Sequence, residues 1–411
     1  MPKYSKLLYL LLIVCFPVCT FAAYDPNHFD PNNAAHWYRK AFALYEEPNN
    51  IDLKAFVDGE IESTPELRQY LKRQQTVIDL FSKATQIEYC DWKFDRYKDI
   101  WNFGNNNYAS DVVDCVLLIL ANTRHHEQNL SPEKVINTWR QCFNAAQHIY
   151  HPNDWDMLLS IAIKSKCYSY IHDYMERNPD MTQNELILLK NLLLDESNGR
   201  VISLNELLDD RINFARTALT KHKDQKPKTE PYIEQILALK GQEGWNDFLD
   251  KTLSIYEKHI NNLRVAVNTP PALRYTAISL ADQSATNARD ILEKFSSLPE
   301  NYVPTQKDYD DLMRISGYLF AIRETPTLHV YRWQMYYDTK RNAILTAISL
   351  LLEYHNSGNL PEEVSANSPK DAFGNQPFTL IKTGTGFTLK SQSMDIMKDK
   401  YPEYEFKLPK E

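Results

Sequence analysis

Glycine is scarce in this chain, ten in 411 residues. Glycine is the default wherever the backbone must reach positive φ, so a chain with so little of it is poor material for a turn-rich all-β architecture. Helices need few such positions, and the scarcity points to them. Four of the ten, Gly358, Gly374, Gly384 and Gly386, fall in the last 54 residues, so the composition shifts at that end.

Further absences narrow the function. No CxxC pair occurs, which removes the common thiolate spacing of a zinc site. No Gly-x-Ser-x-Gly, His-Glu-x-x-His, Walker loop or dinucleotide fingerprint occurs either. "SPEK" (131–134) and "KTGTG" (382–386) share letters with penicillin-binding enzymes, but Ser131 reads as a helix N-cap and the second stretch as a hairpin turn. An excess of positive charge is missing: Lys and Arg number 46 against 54 Asp and Glu, a formal net charge of −8. Such a chain is a poor binder of phosphate backbones, and no nucleic-acid partner is expected. The basic run "KHKDQKPK" (221–228) reads as a solvated linker.

The N-terminus has its own logic. Lys3 and Lys6 precede an apolar run from Leu7 to Phe21, and small residues follow at Ala22 and Ala23. This is the pattern of a secretory signal, residues 1–22, cleaved after Ala22. The run is short of the roughly 20 residues of a membrane span, so no span is expected after cleavage; a retained N-terminal anchor is the alternative. Periplasmic or extracellular location follows. Removing 1–22 takes two lysines, moving the net charge from −8 to −10.

Four cysteines remain, Cys90, Cys115, Cys142 and Cys167. Export permits disulfides, in three possible connectivities. Cys115 and Cys142 fall nearly opposite each other if 107–127 and 132–150 form an antiparallel helical hairpin; free buried thiols are the other reading.

Helical periodicity runs through most of the mature chain. Asn33 opens a helix with Trp37, Ala41 and Leu44 on one side, and 63–86 opens on Ser63 or Thr64 with Pro65 at the first turn. Residues 88–108 are aromatic-rich and read as an ordered loop. Val112 to Ala121 is apolar nearly all round, so 110–129 should lie mid-core. With 131–151 and 153–178 it forms stacked antiparallel helices, a tetratricopeptide-like layout without that repeat's signature. Further helices are expected at 181–194, 204–223, 231–239, 243–267, 270–296 and 305–323. A last one runs from Pro326 to His355 and stops at Gly358. The expected class is mainly α. Its units are an N-terminal helical unit (23–223), a linker (224–231), a C-terminal helical unit (232–357) and a β-hairpin with tail (358–411).

The ending "DAFGNQPFTLIKTGTGFTLKS" (371–391) alternates, turns on glycine and alternates again. Asp371 should bond turn amides, and Phe378, Leu380, Phe387 and Leu389 should form one apolar face. An isolated hairpin is marginal, so that face must seal a helix. This ending, with the preceding "KRNAILTAISLLLEYHNSGNLPEEV", resembles that of a group of uncharacterised exported bacterial helical proteins, and resembles the C-terminal part of type II secretion pseudopilins. "NAAHWYRKAF" and "YCDWKFD" are similar to the same group. Ala372 stands where the pattern often has proline. "SQSMD" replaces a glycine-rich Ser-x-Gly-x-Asp, so calcium at Asp395 is not expected. The resemblance implies an envelope protein, and a component of a secretion or pilus-like apparatus is one function it suggests.

No metal or cofactor is expected. The best available ligand set would be His148 and His151, at i and i+3, with Asp154. His125 and His126 fall at the opposite end of that helical hairpin. The aromatic and cationic stretch "HVYRWQMYYDTKR" (329–341) suits a groove, an interface or ordinary packing. The expectation is a non-catalytic binding or assembly protein; the rival is a hydrolase-type enzyme built from scattered polar residues.

Overall fold

The structure, a computed structural model, describes residues 29–92, 107–149, 154–198, 203–222, 231–297, 299, 302–318, 321, 326–394 and 400–409. Fourteen α-helices and three short strands fill these residues. The first nine helices are α1 (Ala34–Phe42), α2 (Leu53–Val57), α3 (Pro65–Arg73), α4 (Gln75–Thr85), α5 (Asn107–His126), α6 (Pro132–His148), α7 (Asp154–Arg177), α8 (Gln183–Asn198) and α9 (Leu204–His222). They are followed by α10 (Pro231–Ala238), α11 (Gly241–Val267), α12 (Pro271–Ser296), α13 (Gln306–Ile315) and α14 (Thr327–Ser357). The strands are β1 (Thr379–Lys382), β2 (Gly386–Lys390) and β3 (Glu403–Lys407). The signal segment and the 224–231 linker, all but Pro231, lie outside the described residues.

Local chemistry explains most boundaries. Asn33 caps α1 by accepting from the Ala35 amide at 3.1 Å, and its amide group also clasps the backbone of Asp91. Thr64, rather than Ser63, caps α3, accepting from the Leu67 amide with Pro65 at the first turn. The expected single helix 63–86 is broken at Gln74, whose buried side chain accepts from the Glu46 amide at 3.4 Å. Ser131 occupies the N-cap of α6 without a side-chain bond to the helix amides. The helix expected at 305–323 ends at Ile315. Gly358 terminates α14 in the left-handed region, at φ 70°.

Helices α5, α6 and α7 pack on one another as the stacked reading requires. The buried side chains form two cores. One holds α1 to α8, the sheet and the C-terminal two-thirds of α14; the other holds α9 to α13 and the start of α14. Helix α14 therefore crosses both, with Val330 and Tyr331 in one core and Tyr337 through Leu351 in the other. Its first turn is anchored in the second core: Asp282 accepts from the Leu328 amide at 2.9 Å, and buried Arg211 donates to Thr327 Oγ1 at 2.7 Å. Helix α9, expected with the N-terminal unit, contributes its side chains to the second core.

The C-terminal element is a three-stranded antiparallel sheet, order β1-β2-β3, rather than a two-stranded hairpin. Tyr404 and Phe406 of β3 join Phe378, Phe387 and Leu389 in the first core, against α7 and α14. Asp371 is fully buried and accepts from the amides of Phe373 and Gly374 (both 3.1 Å) and from Thr339 Oγ1 at 3.0 Å on α14. The positive φ of this turn belongs to Asn375. Gly374 is needed for space, since a Cβ there would sit 1.8 Å from Ser393 Oγ. Gly386 is needed for the same reason against the Phe406 carbonyl, 2.0 Å away, so its place is set by the third strand.

Candidate functional site

A candidate lies where a core helix carries charge it does not need for packing. Helix α5 buries Val112, Cys115, Val116, Leu118, Ile119 and Leu120, yet Asp111 and Asp114 stand on it at i and i+3. Opposite runs the loop from α1 to α2. Tyr70 of α3 fixes that loop by donating to the Glu46 carbonyl at 2.8 Å. Tyr45 hydrogen-bonds Tyr70 in turn, and burial pushes the Tyr70 hydroxyl up to about 12. Between loop and helix opens a cleft of about 670 Å³. Its polar lining comes from Tyr45, Glu47, Asn49, Asp52, Lys54 and Asp114, with Pro48, Ile51, Leu53 and Leu117 supplying apolar wall.

The electrostatics are one-sided. Three carboxylates and one ammonium line the cleft, with Asp111 one turn behind Asp114. Burial, then the Asp114 charge, pushes Asp111 from its ordinary 3.8 up to about 6. Burial, then Glu47, pushes Asp114 up to about 6 as well. Water reaches Asp114 across the open side, so the push comes from protein crowding round the carboxylate rather than from full enclosure. Asp52 is held by its own helix, accepting from the Ala55 amide at 2.9 Å.

Of the candidate ligands named from the sequence, His148, His151 and Asp154, only His148 has its surroundings described. His148 sits in an aromatic box, with its Nδ1 2.8 Å from Tyr38 Oη and its carbonyl accepting from Trp92 Nε1 at 2.8 Å. Burial lowers its pKa to about 4, against smaller upward pulls from backbone bonds at Glu88 and Ile87. Its ring nitrogens are thus spent on Tyr38 and the backbone. His151 lies outside the described residues, and Asp154 opens α7. Asp395 also lies outside them, as does most of the 88–108 loop, from 93 to 106. His125 is 3.2 Å from Ser63 Oγ and packs on His126 at the other end.

All four described cysteines are free thiols. The expected Cys115–Cys142 proximity gives way to a Cys142–Cys167 contact, in which the two side chains hydrogen-bond. Cys142 lies beside Cys167 of α7, and both Cys142 and Cys115 lie near the buried Tyr38 hydroxyl. The aromatic stretch of α14 is mostly packing. Trp333 stacks on Tyr337 at 5.6 Å and donates to His329 Nε2 at 2.7 Å. Tyr336 lines a cavity of about 490 Å³, shared with Lys390, Lys400, Tyr401 and Tyr404.

A second polar cluster is internal. Glu196 of α8, its side chain 2% exposed, takes Lys164 Nζ at 2.8 Å, the Tyr168 hydroxyl and, at 3.9 Å, Arg341 Nη1 of α14. Arg341 also meets Asp338 at 3.2 Å. Burial, then the Glu196 charge, raises the Tyr168 hydroxyl well above its ordinary value. This cluster joins three helices.

No family model, curated protein or solved structure matches the chain. Among the described residues no helix is long and apolar enough to cross a membrane. Sequence reasoning missed Glu47, Asp111 and Asp114. The signal available was two aspartates at i, i+3 inside "SDVVDCVLLILA", on an otherwise apolar helix.

Proposed function

We propose that this is an exported binding protein that takes an organic cation into the cleft between α5 and the α1–α2 loop. Export rests on the N-terminal charged and apolar pattern. The observation that carries the binding reading is the pair Asp111 and Asp114, both held at about 6 beside Glu47 and matched by Lys54 alone. The raised values mark carboxylate charge that the protein leaves poorly satisfied, and the attraction of a cation to that charge is the driving force for binding. The cleft's size matches small-molecule sites and exceeds what a bare ion needs. Its Tyr45, Pro48, Ile51 and Leu117 suit an alkyl stem, so the ligand class is a polyamine or the Lys or Arg side chain of a peptide.

Calorimetric titration with spermidine and with a Lys-containing peptide separates the two sources. Binding of either by the wild type, lost in the Asp111→Asn/Asp114→Asn variant, supports the reading. No binding of either, or equal binding by the variant, overturns it. A second reading, a hydrolase-type enzyme, draws on the same two carboxylates, since groups titrating near 6 can carry protons. It requires turnover that Asp114→Asn abolishes.

A further inference from the structure

One cluster outside the cleft is built differently from an ordinary charged face. His172, Asp173 and Glu176 lie on α7 at i, i+1 and i+4, near its C-terminal end. Their ligand atoms all lie within 4.8 Å of one another, and each residue is half-buried.

The imidazole is held from behind. His172 Nε2 is 3.0 Å from the backbone carbonyl of Glu405 on β3. A carbonyl only accepts, so Nε2 carries a proton and Nδ1 is the ring atom left to meet a ligand. Nδ1 faces Asp173 Oδ1 at 3.5 Å. The ring is wedged edge-on against Tyr404 and Phe406, at centroid distances of 6.3 and 5.0 Å. A histidine oriented through one nitrogen by a backbone carbonyl, with the other nitrogen turned to carboxylates, has the arrangement that metal-ligating histidines share.

Charge points the same way. Among the described residues neither Asp173 nor Glu176 pairs with a lysine or arginine. The next basic residue on the helix, Arg177, is engaged by Glu127 at 2.9 Å. A neutral imidazole with two carboxylates carries −2, the complement of a divalent ion.

The geometry points to a surface site for one divalent transition-metal ion, held by His172 Nδ1 and the carboxylates of Asp173 and Glu176. One nitrogen and two oxygens suit zinc, nickel or copper rather than magnesium or calcium. Donors around a tetrahedral zinc ion lie about 3.4 Å apart, so the side chains must close by about 1 Å, within reach of rotamer adjustment. Three protein ligands leave the remaining positions to water. Because β3 orients the imidazole, metal affinity and docking of the terminal sheet are linked, and the ion should stabilise the sheet against α7.

The test is titration of the metal-free mature chain with zinc chloride and with copper chloride, followed by calorimetry and, for copper, electron paramagnetic resonance. The expected result is one ion per chain, with a spectrum showing one coordinated nitrogen and a raised melting temperature. Asp173→Asn/Glu176→Gln, which leaves the His172 contacts to β3 in place, should weaken binding at least tenfold. His172→Asn should remove the nitrogen signature. No saturable binding by the wild type, or unchanged affinity in the double carboxylate variant, would overturn the site. Retained nitrogen coupling in His172→Asn would assign the copper to another histidine and overturn it equally. Spermidine binding is independent of these outcomes, because the cleft residues lie on α5 and the α1–α2 loop.

Discussion

Two groups of carboxylates in this molecule face opposite circumstances. Glu196 and Asp338 lie in the seam of α7, α8 and α14, where Lys164 and Arg341 answer their charge. Burial pushes Asp338 up, and Arg341 pulls it back. Asp114 and Glu47 line an open cleft with Asp111 one turn behind, and burial, then Asp114 for Asp111 and Glu47 for Asp114, pushes the two aspartates up. The first group is complete without any other molecule. The second has Lys54 as the one cation among the residues that line its cleft. Charge that the fold has balanced belongs to architecture, and charge left unbalanced beside a cavity marks a binding site.

That contrast can be broken in several places. The largest effect should come from the balanced group. Glu196→Gln takes from Lys164 its carboxylate at 2.8 Å and leaves Arg341 to Asp338 alone, and should cost about 3 kcal/mol in urea denaturation. A loss below about 1 kcal/mol would mean that the seam does not depend on the pairing.

Next comes binding at the cleft. Asp111→Asn/Asp114→Asn should weaken spermidine by tenfold or more, about 1.4 kcal/mol. Wild-type affinity should fall as salt rises, because the cleft is open to screening. Affinity should also fall as pH drops through about 6, where both aspartates take up protons. Salt-independent binding would point to apolar contacts instead.

The stability of the cleft aspartates has the opposite sign to that of Glu196. Their folded pKa, about 6, exceeds the ordinary 3.8, so the folded chain holds protons between those values that the unfolded chain has released. The penalty is therefore full above pH 6 and absent below 3.8. Asp114→Asn should stabilise the protein by about 1 kcal/mol above pH 6, after allowance for solvent at the open side, and the gain should fade as the pH falls. A destabilised variant would place Asp114 among the balanced charges. The smallest effect belongs to Lys54→Gln, which removes the cleft's one cation and should tighten spermidine by a few-fold.

The helices were legible because burial on one stripe leaves a period that packing cannot hide. Asn33, Thr64, Pro65 and Gly358 announce their helix ends through side-chain or backbone chemistry local to them. Gln74 was not legible as a break, since its cause is a contact with Glu46, 28 residues away. Strand β3 was written in the alternation of "EYEFK", but a five-residue segment signals weakly until its partner is known. The aspartates of α5 show the limit most clearly. Their spacing is in the sequence, while the burial that lifts their pKa, with Glu47 adding to it at Asp114, comes from tertiary packing. The surroundings of His148 and His172 were illegible for the same reason: tertiary contacts bury the first beside Tyr38 and set the Nδ1 of the second facing Asp173.

The claim that the cleft is an unfilled cation site is tested most directly by carbon-13 NMR titration of the Asp111 and Asp114 carboxyls, with and without spermidine. Free protein should show both groups titrating near 6, and saturating spermidine should draw both back towards 3.8. Ordinary values in the free protein, or titration curves that spermidine leaves unmoved, would contradict the account.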